Sequence, residues 1–181
     1  MAATAHHKII FTGPVGAGKS TAIASISDIP PVNTDELASD MTRSRKPSTT
    51  VALDYGVMNL EDGERLHLYG TPGQERFDFM WDILTEGGIG LVLLLNNARP
   101  DPFTDLGFFL GAFDGFIRRS QVVIGVTRMD EAATPLIGDY QQQLARRGLK
   151  VPVFEVDARQ RRDVSVLVEA LLFSIDAGVS D

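Results

Sequence analysis

No cysteine occurs in the 181 residues. Thiol nucleophiles, thiolate metal sites and prenyl or palmitoyl anchors are thereby excluded, and a reducing compartment is expected. Ala2 stands where a myristoyl chain would need glycine. No apolar run approaches the roughly 20 residues that span a bilayer, and Met1 to His7 lacks the basic and apolar regions of a signal peptide, so the expectation is a cytoplasmic protein without membrane segment or lipid anchor. Positive charge is scarce. Seventeen Lys and Arg stand against 24 Asp and Glu, for a net charge of -7 and a pI near 4.9. That balance argues against nucleic acid as a ligand and requires any basic site to be local. His6 and His7 adjoin near the start and read as a solvated terminus. Repeats, linkers and low-complexity segments are also missing. With 44% hydrophobic and 23% charged residues, the expectation is one soluble domain over 1–181, loose at about 1–6 and 178–181.

Against these absences stands one dense stretch, Gly13-Pro14-Val15-Gly16-Ala17-Gly18-Lys19-Ser20, which spells G-x-x-x-x-G-K-[ST]. Its glycines let successive backbone N–H groups turn inward, and the positive end of the following helix adds to the same anionic site. Lys19 supplies a point charge for the outer phosphates, and the Ser20 hydroxyl offers one oxygen to a magnesium ion. The context fits a phosphate loop, because Lys8-Ile9-Ile10-Phe11 reads as a buried strand and the run from Thr21 to Ile26 as a helix.

Further along, Pro30-Pro31 breaks regular structure, and Val32 to Thr49 reads as a long exposed loop. Val51 to Val57 alternates as a strand, and a turn at Asp62-Gly63 leads into a second strand, Arg65 to Tyr69, giving an antiparallel hairpin. From Gln74 to Glu86 the spacing of Phe77, Met80, Trp81 and Leu84 predicts one buried helical face, with Phe79 and Ile83 elsewhere on the helix. Leu91 to Leu95 is apolar on both faces, as in the centre of a parallel sheet. Phe103 to Ile117 predicts a helix in which Gly107, Gly111 and Gly115 imply a close backbone approach or a kink. Strands at Val122–Val126 and Val151–Val156 alternate with helices near Leu136–Arg147 and Val164–Ala177. Together these predict an α/β sandwich with helices on both faces of a six-stranded, mostly parallel sheet carrying one antiparallel edge strand.

Ligands of open α/β sheets bind beyond the carboxyl ends of the strands. Thr127-Arg128-Met129-Asp130 lies in such a place, and its carboxylate can accept both the ring N–H and the exocyclic amine of guanine, a pair that adenine does not offer. Asp157-Ala158-Arg159 follows the last strand and can offer the Ala158 N–H to the guanine oxygen.

With these segments the chain resembles the Ras-like small GTPases over nearly its whole length. The phosphate loop is the first shared motif. Thr50 resembles the first-switch threonine and Gly73-Gln74-Glu75-Arg76-Phe77 the second switch, while Thr127 to Asp130 and Asp157 to Arg159 resemble the base motifs N/T-K-x-D and S-A-K. Thr71-Pro72-Gly73-Gln74 and the strand from Thr50 to Tyr55 are most similar to a bacterial and archaeal branch related to MglA-type and conservon-encoded GTPases. The resemblance implies a P-loop NTPase fold and a GDP/GTP switch that takes magnesium as cofactor through Ser20 and Thr50. In it Lys19 and Gly73 stabilise the transferring phosphoryl, Gln74 orients the attacking water, and a roadblock-type partner assists hydrolysis.

Three positions depart from the pattern. Gly70 replaces the aspartate that ordinarily holds magnesium through water, leaving Asp54 or Asp35 as substitutes. Thr127 and Arg128 replace Asn and Lys, which implies loss of the asparagine's bracing hydrogen bonds. Val15 replaces glycine in the phosphate loop and is expected to crowd Gln74, which with no arginine clearly placed implies slow intrinsic turnover. Arg43, Arg45 and Lys46 read as solvated loop charges, and Arg76 as a brace of the second switch. Two other readings stay open: a P-loop kinase or ATPase, and a nucleotide-bound interaction module that does not hydrolyse.

Overall fold

The computed structural model describes residues 6–33, 54–71 and 78–179. Seven strands form one sheet: β1 His6–Thr12, β2 Val32–Asn33, β3 Asp54–Asn59, β4 Arg65–Gly70, β5 Gly88–Asn96, β6 Gln121–Thr127 and β7 Val153–Glu155, in the spatial order β2-β3-β4-β1-β5-β6-β7. From β4 to β7 every neighbouring pair is parallel, and β3 runs antiparallel to β4. The six expected strands are all present. The seventh, β2, pairs Val32 with Tyr55 and Asn33 with Asp54, so β3 is covered on its outer side instead of forming the edge. Pro30-Pro31 favours extended backbone and delivers the chain to that edge already straight. At the other edge β7 is shorter than the apolar run from Val151 to Val156, because Pro152 has no N–H for the ladder; its carbonyl still accepts from Ile124 N–H at 2.9 Å.

Alternation in the central strands feeds two hydrophobic layers. Ile9, Phe11, Val92 and Leu94 face one side and pack with Ala22, Ile23 and Ile26 of α1 (Lys19–Ile26) and Val164, Leu167 and Leu171 of α6 (Arg161–Val179). Ile10, Leu91, Leu93 and Leu95 face the other. They meet Trp81 of α2 (Asp78–Thr85), Leu106 and Phe109 of α3 (Pro102–Ala112), Phe116 of α4 (Asp114–Arg119) and Leu144 of α5 (Ile137–Arg146). Burial of these side chains, at roughly 1.5–3 kcal/mol each, closes the sandwich on both faces.

Trp81 and Leu84 are buried and Ile83 is 62% exposed, as the spacing in α2 predicts. Phe77 and the side chains of Phe79 and Met80 lie outside the described residues. The helix expected from Phe103 to Ile117 breaks at Phe113, whose φ of -102° and ψ of 15° end α3 and begin α4. One of its three glycines makes a close approach: a Cβ on Gly107 would lie 2.6 Å from Nη2 of Arg147, whereas one on Gly111 or Gly115 would meet nothing within 4 Å. At the two ends, β1 already includes His6, whose pairing with Arg65 holds it, and α6 continues through Gly178 and Val179 on helical backbone bonds. Positions 1–5 and 180–181 lie outside the described residues. Among those described, no helix is long and apolar enough to cross a membrane.

Candidate functional site

The chain leaves β1 to build β2, β3 and β4 on one side and then returns to build β5, β6 and β7 on the other. The carboxyl end of β1 is therefore the switch point at which an α/β sheet opens a crevice. Gly13 begins the phosphate loop there with φ 146°, and a Cβ on it would sit 2.1 Å from the carbonyl oxygen of Leu94. Only glycine passes this close to β5. Gly18, at φ 97°, caps α1 against Ala158, whose Cβ would be 2.9 Å from one added at Gly18. Lys19 is 9% exposed, and its Nζ donates to the carbonyls of Gly13 at 2.6 Å and Pro14 at 2.9 Å. Burial pushes its pKa down to about 8, with the Asp54 carboxylate opposing that shift. A desolvated ammonium partnered by neutral carbonyls has a large electrostatic gain to make from an incoming phosphate. Val15 is 59% exposed at the loop's outer side.

A cavity of about 630 Å³, within the range of small-molecule sites, runs from this loop along the carboxyl ends of β6 and β7. Ala17, Gly18 and Thr21 line one end, Thr127 to Asp130 one wall, and Asp157 to Arg159 the other, so three segments far apart in sequence share one space. Arg128 is the one non-glycine with positive φ, 60°, among the described residues. Its Nη1 pairs with Glu131 at 3.1 Å while its Nε donates to Gly16 O at 3.4 Å, which draws the base-motif loop onto the phosphate loop. Asp157 accepts from Arg159 Nε and Nη2, both at 2.9 Å, and from the Arg159 N–H at 3.0 Å. These bonds hold its carboxyl well below the usual range, at about 2. Asp130 and Glu131 add to the negative potential around Arg159 and raise its pKa further.

The expected loss of bracing at Thr127 is corrected by the structure. Its buried hydroxyl lies 3.0 Å from Ala17 O and 3.2 Å from Leu95 O, so the threonine ties β6 to the phosphate loop with its one proton. A hydroxyl suffices because the Ala17 carbonyl comes near enough for a short side chain to reach.

Two supporting residues were not singled out by motif. Asn97, 2% exposed, donates from Nδ2 to Ala132 O and Pro135 O at 3.3 and 3.0 Å and accepts from the Tyr140 hydroxyl at 2.6 Å. Its N–H donates to Thr127 O at 2.9 Å, which fixes the base-motif loop to the end of β5. Asn96 reaches Gly16 O at 3.3 Å. Their legible trace is a pair of amides closing the apolar run Leu91 to Leu95 at the carboxyl end of a central strand.

At the start of α1, Ser20 Oγ donates to Asp54 Oδ2 at 2.5 Å. Among the described residues no group of three or more His, Asp or Glu is placed to hold a metal. One hydroxyl and one carboxylate are hard oxygen donors of the number that magnesium takes from a protein when phosphates and water complete its octahedron. The residues therefore fit that ion. Thr50, Gly73, Gln74, Arg76, Asp35, Arg43, Arg45 and Lys46 lie outside the described residues.

A glycine-lined phosphate loop at the switch point of a mostly parallel sheet, opening into a cavity of nucleoside size, defines a P-loop nucleotide-binding protein. The chain belongs to the family described as conserved hypothetical ATP binding protein, whose pattern matches residues 11–143. It is also homologous to Ras-related proteins at low identity. It shares 24% identity with the Ras-related protein RabC of Dictyostelium discoideum over 177 residues, covering 94% of this chain and 84% of that one. With the Ras-related protein Rab-18-B of Danio rerio it shares 29% over 119 residues, 64% of this chain and 52% of the relative. An uncharacterized protein of Methanocaldococcus jannaschii is 30% identical over 92 residues, 51% of this chain and 52% of its own length. The chain thus spans about half the length of the last two.

Proposed function

We propose that this protein is a guanine-nucleotide switch that hydrolyses GTP slowly and signals through nucleotide-dependent loops. The observation that supports the reading is the shared cavity, which part of the phosphate loop, the Thr127–Asp130 loop and the Asp157–Arg159 loop line together. In this reading the backbone N–H groups of Gly13 to Ser20 and the Lys19 ammonium hold the phosphates, Arg128 covers the base face, and Asp130 accepts from guanine. Ser20 and Thr50 hold magnesium, which when bound neutralises charge on the phosphate oxygens. Gln74 and Gly73 orient water and the terminal phosphate, so no covalent step is needed. The protein acts as a single domain in the cytoplasm, within the branch related to MglA-type and conservon-encoded GTPases, and is stimulated by a roadblock-type partner.

In this reading Val15, at a phosphate-loop position where glycine is usual, slows turnover by crowding Gln74 and an activating group. Val15→Gly is expected to raise single-turnover GTP hydrolysis severalfold; an unchanged rate would remove the crowding argument. The family's description favours a second reading, adenine in place of guanine. Competition between the four nucleotides separates the two.

A further inference from the structure

We infer that Asn97 is the positioning residue of the base-reading loop, and that together with the Tyr140 hydroxyl it sets how sharply the site tells one base from another. The inference rests on the switch reading above, in which Asp130 accepts from guanine. It begins with how little else holds that carboxylate. Asp130 is exposed, and among the described residues no side chain donates a hydrogen bond to it. Where its oxygens lie is therefore set by the backbone of residues 128–135, which runs between β6 and α5 as neither helix nor strand.

Asn97, the first residue after β5, holds both ends of that segment. At its start the Asn97 N–H donates to Thr127 O at 2.9 Å. At its finish the side-chain Nδ2 donates to Ala132 O at 3.3 Å and to Pro135 O at 3.0 Å. Both amide protons are thus engaged by the loop, and among the described residues neither carbonyl has another donor. Asn97 is 2% exposed and does not line the cavity, so it reaches a ligand only through the loop that carries Asp130.

The orientation of the amide is fixed by its third partner. Tyr140, fully buried on α5, donates its hydroxyl to Asn97 Oδ1 at 2.6 Å. A flipped amide would turn its oxygen toward two carbonyls, so the network admits one orientation. Burial, then the Asp105 carboxylate, raise the pKa of that hydroxyl above its ordinary 10.0, and it remains a donor throughout the neutral range. The ring is itself set edge-on against Phe103 of α3, with centroids 5.2 Å apart. Loss of the amide would free the finish of the loop, and a shift of about 1 Å is enough to spoil a bidentate contact.

The test is competition of GDP, ADP and pyrophosphate against fluorescently labelled GDP on the full chain, pyrophosphate reading the phosphate end alone. Asn97→Ala is expected to lower the GDP-to-ADP affinity ratio by about tenfold or more, while pyrophosphate binding stays within about twofold of wild type. Tyr140→Phe keeps the ring and is expected to lower the ratio by a smaller factor, and Asn97→Ala with Tyr140→Phe to do no more than Asn97→Ala alone. In an Asp130→Ala background, Asn97→Ala is expected to leave the ratio unchanged, because the loop then has no carboxylate to place. Parallel loss of all three ligands, or a wild-type ratio in Asn97→Ala, would overturn the inference and leave the nucleotide site standing. If Asn97→Ala does not fold, Tyr140→Phe decides, and a wild-type ratio there overturns the inference. A wild type that binds no nucleotide, or does not prefer GDP to ADP, would overturn the switch reading and this inference with it.

Discussion

Thr127 shows how much of the site depends on single short side chains. Its hydroxyl is buried between the phosphate loop and β5, with Ala17 O at 3.0 Å. Thr127→Val keeps the shape and removes the donor, so it is expected to cost about 1–3 kcal/mol of stability and to weaken nucleotide binding, while Thr127→Ser retains most of both. Urea unfolding and nucleotide titration of the two variants check this. Asp28 offers a test by pH. Its carboxylate accepts from the Asn59 N–H at 2.7 Å and from Arg161 at 2.9 Å, joining the turn after α1 to β3 and to the first residue of α6. The Asn59 N–H, then the arginine, hold its carboxyl below the ordinary 3.8. A depressed carboxylate stabilises the fold above the unfolded pKa, and that stability is lost as pH falls through the folded value. Asp28→Ala is therefore expected to be about 1 kcal/mol less stable at neutral pH, with the gap to wild type closing below about pH 4 in urea titrations. A gap constant across that range would remove the ionic part of the explanation.

Among the elements, those whose pattern is local were legible in the sequence. The alternation through Leu91 to Leu95 divides into two buried layers as expected, and the glycines of the phosphate loop take the positive φ values that the motif requires. Elements set by distant partners were not. The end of α3 at Phe113 follows from how two helices pack on β5 and β6, and no local pattern fixes that residue as the break. Asn97 reads as an ordinary loop amide until β6 and the loop ending at Pro135 come to it. Gly111 carries a test at this scale. It is exposed near the end of α3, and a Cβ there meets nothing within 4 Å. Gly111→Ala is expected to stabilise the protein by about 0.5–1 kcal/mol, raising the unfolding midpoint by roughly 2 °C. Gly107→Ala must displace Arg147 and is expected to gain less; thermal unfolding of both variants ranks them.

At the scale of the whole molecule, a net charge of -7 surrounds a site that must hold a polyanion. Among the described residues, the attracting groups at the site are backbone N–H groups, the buried Lys19, and Arg128 and Arg159, each tied to a neighbouring acid. Attraction from charges paired in this way is short-ranged, which suits a compact ligand such as a nucleotide. In the proposed guanine switch, what the site reads beyond phosphate is decided by Asp130. The measurement to make is competition of GDP, GTP, ADP and ATP for wild type and Asp130→Ala, with and without magnesium. The expected result is a guanine preference of about a hundredfold or more in wild type, abolished in the variant while phosphate-dependent binding persists. Equal affinities in wild type, or a preference for adenine, would reject the guanine switch in favour of an ATP-binding protein built on the same loop.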